Sequence, residues 1–289
     1  MSWIDVAKKD FEDSIRSKSL WIVSLIFVVL VAGGSFAITL LPEGGSFIGD
    51  PLSSDNAIVA LQSISSLLVP IIALMIGYMA IAGEREFGTI KMLLGLPNSR
   101  LDVLLGKWIG RSLVAVVPIL IAFGVASIVI VTFYDVFYVT NFLIFLGVTV
   151  LLTLSFLSIA VGFSAASGTK GKALGWAVAV FFIFEFLWGS LLTGIYYFIE
   201  DSLPMAGSQH LPAWYAFFQR ITPNGAYGAL SNGLMDLGAL GQYTDIAKLI
   251  GKETIPFYLT NYMFFAIMVI WIIVPPILGY LAFRDSDVG

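Results

Sequence analysis

Cysteine is absent from the 289 residues, and histidine occurs once, at His210. Disulfides, thiolate metal sites and thiol nucleophiles are excluded, and the redox compartment leaves no mark on the chain. A zinc protease signature of the H-E-x-x-H type needs two histidines. Charge is the next shortage: Asp, Glu, Lys and Arg make up 12% of the sequence against 58% apolar residues. Soluble domains average about 25% charged and about 45–50% apolar. Such a surface cannot face water, which excludes a soluble enzyme, a nucleic-acid binder and a disordered chain and leaves an integral membrane protein.

What the chain has in excess is long apolar runs, with 23 Phe, 11 Tyr and 7 Trp. A helix needs about 20 apolar residues to cross a bilayer. Six stretches qualify: 20–41, 57–82, 108–133, 141–165, 173–199 and 259–283. Lipid offers no partner for backbone N–H and C=O groups, so all six are expected as helices. The predicted fold is thus all-α, integral to the membrane, with six transmembrane helices in one domain over 1–289. The first run follows some 19 residues of mixed charge and is too long for a signal-peptide core.

Twelve of the fifteen Lys and Arg fall on one side: four before helix one, five around the 2–3 connection, two between helices four and five, and Arg284. Arg220, Lys248 and Lys252 share one long loop on the other side. The positive-inside rule then places both termini in the cytoplasm of a cell membrane. Ahead of helix one, Ile4, Ala7, Phe11 and Ile15 recur at helical spacing between charges, which predicts an amphipathic helix in the headgroup plane, with Ser2 and Asp5 as its capping box. The 5–6 connection holds Trp214, Tyr215, Phe217, Phe218 and an amphipathic 224–237 stretch. It is expected to form short re-entrant or interfacial helices over the outer mouth.

Glu185 is the one acid well inside a span. Its cost in lipid demands protein, water or a proton, so it is either a contact in a transport cavity or a hydrogen-bonded structural group. Arg111 is expected to snorkel to the surface. Met75 and Met79, one turn apart, suit packing better than soft-metal binding. Gly106/Gly110 and Gly171/Gly175 are small-xxx-small pairs that could serve folding or dimerisation.

The connection Gly83–Lys107 carries most information. Phe87, Ile90 and Leu94 share one face of a predicted helix, Pro97-Asn98 stops it, and Ser99 with Asp102 caps a second that continues into helix three. A compact knob of mixed charge suits docking into a groove on a partner. The run Glu84-Arg85-Glu86-Phe87-Gly88-Thr89, then Leu93-Leu94-Gly95-Leu96-Pro97, Asn98-Ser99-Arg100 and Gly106-Lys107, resembles the motif that follows the second helix in ABC-2-type permeases. Those are the transmembrane subunits of ATP-binding-cassette exporters. The six-span plan agrees, and Ile221-Thr222-Pro223-Asn224-Gly225-Ala226-Tyr227 is similar to the Pro/Gly stretch such permeases carry before helix six.

The resemblance implies a permease that forms the substrate pathway of an exporter by alternating access, as a homodimer with two copies of an ATPase subunit that binds ATP and Mg²⁺. Glu84, Arg85, Glu86, Phe87, Gly88, Thr89, Leu94, Pro97, Ser99 and Arg100 would form the ATPase-coupling interface, with Glu84 and Glu86 contacting or orienting it. Pro223, Asn224, Gly225 and Tyr227 are outer-gate candidates. The residues fit that division of labour: none of the Gly-Lys pairs at 106–107, 171–172 and 251–252 is followed by the Ser or Thr of a P-loop. No catalytic, cofactor or metal site is expected in this chain, and no nucleic acid. Two other readings stand: a membrane scaffold whose loop binds a partner, and an ion-coupled secondary transporter that uses Glu185. Substrate and direction of transport are not written in the residues.

Overall fold

The computed structural model describes residues 3–40, 53–90, 99–204, 210–235, 237, 246–252 and 254–284. Helix α1 (Trp3–Ile15) leads into α2 (Lys18–Thr39), α3 (Ser54–Gly77), the short α4 (Ala82–Glu86), α5 (Arg100–Phe133) and α6 (Val139–Ala166). Next come α7 (Lys170–Phe182), a π-helical turn (Ile183–Leu187) and α8 (Trp188–Glu200). After α9 (Ala213–Gln219), α10 (Pro223–Leu234), α11 (Ile246–Ile250) and a 3-10 turn (Phe257–Leu259), α12 (Asn261–Arg284) completes the fold. Six stretches are long and apolar enough to cross a membrane: Leu20–Thr39, Ser54–Glu86, Arg100–Phe133, Val139–Ala166, Lys170–Glu200 and Asn261–Arg284.

α6 is the hub of the bundle, packed on α3, α5, α10 and α12. Helices in lipid gain nothing from hiding apolar surface, so close contact depends on small residues. A Cβ on Gly162 would lie 2.4 Å from Pro275 O, and one on Gly279 would lie 2.6 Å from Gly162 O. Only glycine allows α6 and α12 to cross so closely. Elsewhere along the bundle Phe123, Phe145, Phe156 and Phe264 are fully enclosed. The hydroxyls of Thr149 and Thr153 donate to carbonyls one turn back, both at 2.8 Å, and so carry no unmet donor into the core.

The fifth span contrasts with the fourth. In their most apolar windows, 61% of α6 residues are buried within the chain and 6% of those in α7–α8. Gly171 and Gly175 meet nothing within 4 Å, so that pair takes no part in packing within the chain.

The N-terminal helix forms. Its buried residues are Val6, Ala7, Asp10 and Ser14, while Ile4 is 56% exposed. Of the predicted apolar face, Ala7 packs on the bundle while Ile4 stays outside it. α1 lies on α5, where Gly106 and Gly110 leave a flat track: a Cβ on Gly106 would sit 2.5 Å from Val6 Cβ, and one on Gly110 2.8 Å from Ala7 O. The protein-facing side of this helix is built of small residues with one acid, while Trp3 and Ile4 are exposed together with Asp5, Lys8, Lys9, Glu12 and Asp13. Ser2 of the expected capping box lies outside the described residues.

Candidate coupling hub and outer cavity

At the end of the bundle that carries most of the basic residues, four charges meet. Lys107 Nζ lies 3.1 Å from Asp10 Oδ1 and 3.0 Å from Glu84 Oε1. Arg111 Nε lies 2.9 Å from Asp10 Oδ2, a charge contact without hydrogen-bond alignment. The two acids and two bases cancel, and Lys107 and Asp10 are almost wholly buried. Arg111 does not snorkel as expected: Asp10 supplies a counter-charge inside the protein, which removes the reason to reach water. Lys107 and Arg111 reach one acid together because a spacing of four places them on one helix face.

The short connection after α3 extends this junction to the other helices. Ile81 N and Ala82 N each donate 2.9 Å bonds to Ser164 Oγ on α6. Arg85 Nη1 donates to Ser167 O at 3.3 Å. Glu86 accepts from the backbone of Lys170 at 2.8 Å and pairs with its ammonium at 3.2 Å, which ties the loop to the start of α7. Ser99 caps α5 with the expected box: Asp102 N donates to Ser99 Oγ at 3.1 Å and Ser99 N to Asp102 Oδ2 at 3.0 Å. Next to it, Arg100 Nη1 donates to Phe283 O of α12 at 2.6 Å.

The loop helix departs from the predicted face. α4 ends at Glu86, Gly88 takes φ +74°, and helical geometry resumes at Thr89. The left-handed glycine breaks the register, so Ile90 is buried while Phe87 stands 66% exposed, with Lys170 Nζ 4.8 Å above its ring. Glu84 faces inward, where Thr89 also donates to it. Glu86, Phe87, Gly88 and Thr89 form the exposed tip. Leu94 and Pro97 lie outside the described residues. Beside the tip, a groove of about 910 Å³ between α1 and α3 has an apolar wall of Leu20, Val23, Ile72 and Met75 and a charged wall that includes Glu84 and Lys107. Met75 is 53% exposed, a groove residue and not core packing.

At the opposite end, the 5–6 connection folds as a helical hairpin. α9 descends along α8: Tyr215 packs on Tyr196 with ring centroids 4.9 Å apart, and Trp188 Nε1 donates to Phe218 O at 2.9 Å. α10 then climbs along α12, from a 2.8 Å bond of Trp271 Nε1 to Ile221 O up to a 2.8 Å bond of Asn261 Nδ2 to Gly233 O. Trp271 is ten residues into α12, about 15 Å at 1.5 Å per residue. The hairpin turn therefore reaches deep between the helices.

The four outer-gate candidates build that turn. Pro223 opens α10 with Thr222 as its cap, Thr222 Oγ1 accepting from Gly225 N at 3.1 Å. A Cβ on Gly225 would lie 2.2 Å from Gln219 O. Tyr227 is buried with its hydroxyl 3.3 Å from Thr149 Oγ1. Asn224 Nδ2 donates to Glu185, so residues predicted as separate sites are one. Glu185 sits on the π-helical turn, a distortion that sequence periodicity does not reveal. Above this contact opens a cavity of about 960 Å³ lined by Gln62, Ser66, Glu185, Trp188, Arg220 and Asn232 among others. Arg220 was read only as a basic residue of an outer loop. Here it is half-buried at the hairpin turn, and burial draws its guanidinium below its ordinary value without discharging it.

Six membrane-length helices, with a charged connection bound to most of them, make an integral membrane bundle. The sequence model of the ABC-2 family transporter protein matches residues 4–288, and the chain belongs to that family. It is similar to the probable ABC transporter permease protein NosY of Pseudomonas aeruginosa, at 29% identity over 247 residues, 84% of this chain and 86% of the relative. The protein of that name from Stutzerimonas stutzeri is 32% identical over 197 residues, 66% of this chain and 69% of the relative. An ABC transporter permease works with an ATPase partner subunit.

Proposed function

We propose that two copies of this chain and two ATPase subunits form an ATP-driven exporter of the cytoplasmic membrane, which moves substrate by alternating access. ATP and Mg²⁺ belong to the ATPase, and the basic face and both termini lie in the cytoplasm. One observation carries the reading. The connection from Ile81 to Glu86, with Lys107 and Arg100 beside it, binds the basic ends of α1, α5, α6, α7 and α12 together. A push on the exposed Glu86–Thr89 tip is therefore shared by the bundle instead of bending one loop. In this reading Glu84, Arg85, Ser99 and Arg100 orient the coupling surface, and Phe87 contacts the ATPase. Leu94 and Pro97 complete the surface by resemblance.

Dimerisation is supported by α7–α8, whose apolar side chains and glycine pair find little cover within the chain. The groove beside α1 has the mixed lining that an amphiphile from the inner leaflet requires. Purification of the tagged chain from its host in mild detergent tests the proposal. A stoichiometric Walker-type ATPase is expected to copurify. Its absence, even after cross-linking with ATP trapped, would leave a membrane scaffold as the better reading.

A further inference from the structure

The cavity beneath the hairpin differs in electrostatics from the basic end. Glu185 and Arg220 are its only charged lining residues among those described, one acid and one base. No ion pair among the described residues joins them, and Arg220 Nη1 turns back to Ala216 O at 2.8 Å. Both lie at membrane depth, where an ionisable side chain is costly and marks a binding or conducting site by default. The rest of the polar lining is neutral: amides of Gln62, Asn224, Asn232 and Asn261, and hydroxyls of Ser63 and Ser66. Asn224 commits its Nδ2 to Glu185, which leaves its Oδ1 as an acceptor with no hydrogen-bond partner among the described residues.

We propose that this cavity binds a zwitterion, a small solute or lipid headgroup whose ammonium is held at Glu185 and whose acid group is held at Arg220. A carboxylate accepts N–H donors, which favours a primary ammonium over a quaternary one. The guanidinium takes a carboxylate or phosphate through paired donors. A ligand with both charges neutralises both walls at once, which neither a simple cation nor a simple anion does. Trp188, whose indole closes on Phe218 O, forms an apolar side of the same cavity. The proposal deepens the permease reading by placing a ligand class on the outer half of the pathway. It concerns binding to this chain alone, so its failure and the failure of the ATPase partnership are separate results.

The test is calorimetric titration of the full chain in phosphatidylglycerol nanodiscs with phosphoethanolamine, ethanolamine and inorganic phosphate. Phosphoethanolamine is expected to bind saturably and at least tenfold more tightly than either half, with the advantage lost in Glu185→Gln and in Arg220→Gln. The comparison of the three probes on the unmodified chain stands even where a variant fails to fold. Nanodiscs that also contain phosphatidylethanolamine distinguish the sources. If the lipid abolishes phosphoethanolamine binding, the natural ligand is a headgroup; if binding is unchanged, it is a free solute. Ethanolamine or phosphate binding as tightly as the zwitterion, or no saturable binding in the unmodified chain, would overturn the proposal.

Discussion

The two ends of the bundle handle buried charge in opposite ways. At the basic end Asp10, Glu84, Lys107 and Arg111 neutralise one another inside the protein, and each belongs to a different part of the chain or to a different turn of α5. At the other end Glu185 and Arg220 line one cavity without pairing, and the hairpin that carries Arg220 is bound by hydrogen bonds to α8 and α12. A closed set of ion pairs resists rearrangement, because opening it strands a charge away from water. An unpaired set leaves each charge for water or a ligand to meet. In the proposed exporter, that difference would give rigidity to the basic end and adaptability to the cavity at the other end.

The comparison breaks most sharply at Lys107. Replacing it with methionine leaves buried Asp10 and partly buried Glu84 with a single guanidinium between them, and loss of one partner from a buried pair costs about 3–5 kcal/mol. Lys107→Met should lower the melting temperature in detergent more than any single change at the outer cavity; an unchanged melt would show that the cluster does not hold the basic end. Next in size is Gly106→Val, which forces α1 off its track at the cost of overpacking, about 1–3 kcal/mol. Limited trypsinolysis should then cut at Lys8, Lys9 or Arg16 while α5 remains protected. Glu185→Gln is smaller, because an amide oxygen can still accept from Asn224. A typical hydrogen bond is worth about 0.5–1.5 kcal/mol, so the melt should move by no more than that. Phe87→Asp should leave the melt within about 0.5 kcal/mol, as an exposed substitution does, and still abolish ATPase copurification. Retained copurification would move the contact elsewhere on the loop.

The features that were legible in the sequence are those in which side-chain polarity and position coincide. Six apolar runs could be nothing but membrane helices, and the Ser99–Asp102 box is local chemistry that needs no tertiary partner. The Thr222-Pro223-Asn224-Gly225 segment was marked only by its resemblance, and the cap that Thr222 makes there was not read. The contact of α1 with α5 was not legible, because an apolar stripe beside charges points to the headgroup plane and names no protein partner. On α5 the interior offered Lys107 and Arg111, and Asp10 was drawn inward while Ile4 faced out. Two cations four residues apart in an apolar run are a signal that an acid must cover them, though not which acid. Gly88 was read as part of a helix that its left-handed backbone divides. The meeting of Glu185 with Asn224, 39 residues later, depends on how the hairpin inserts, which no local pattern encodes.

The central claim is that the basic end moves as one body while the outer cavity changes shape. Paired spin labels on the complex with its ATPase test it directly, one pair joining exposed Ile4 to exposed Leu174 and the other joining Phe198 to Phe257 across the outer end. Between the nucleotide-free and ATP-trapped states, the first distance should stay within the width of its distribution and the second should shift beyond it. A first distance that changes while the second stays fixed would contradict the account.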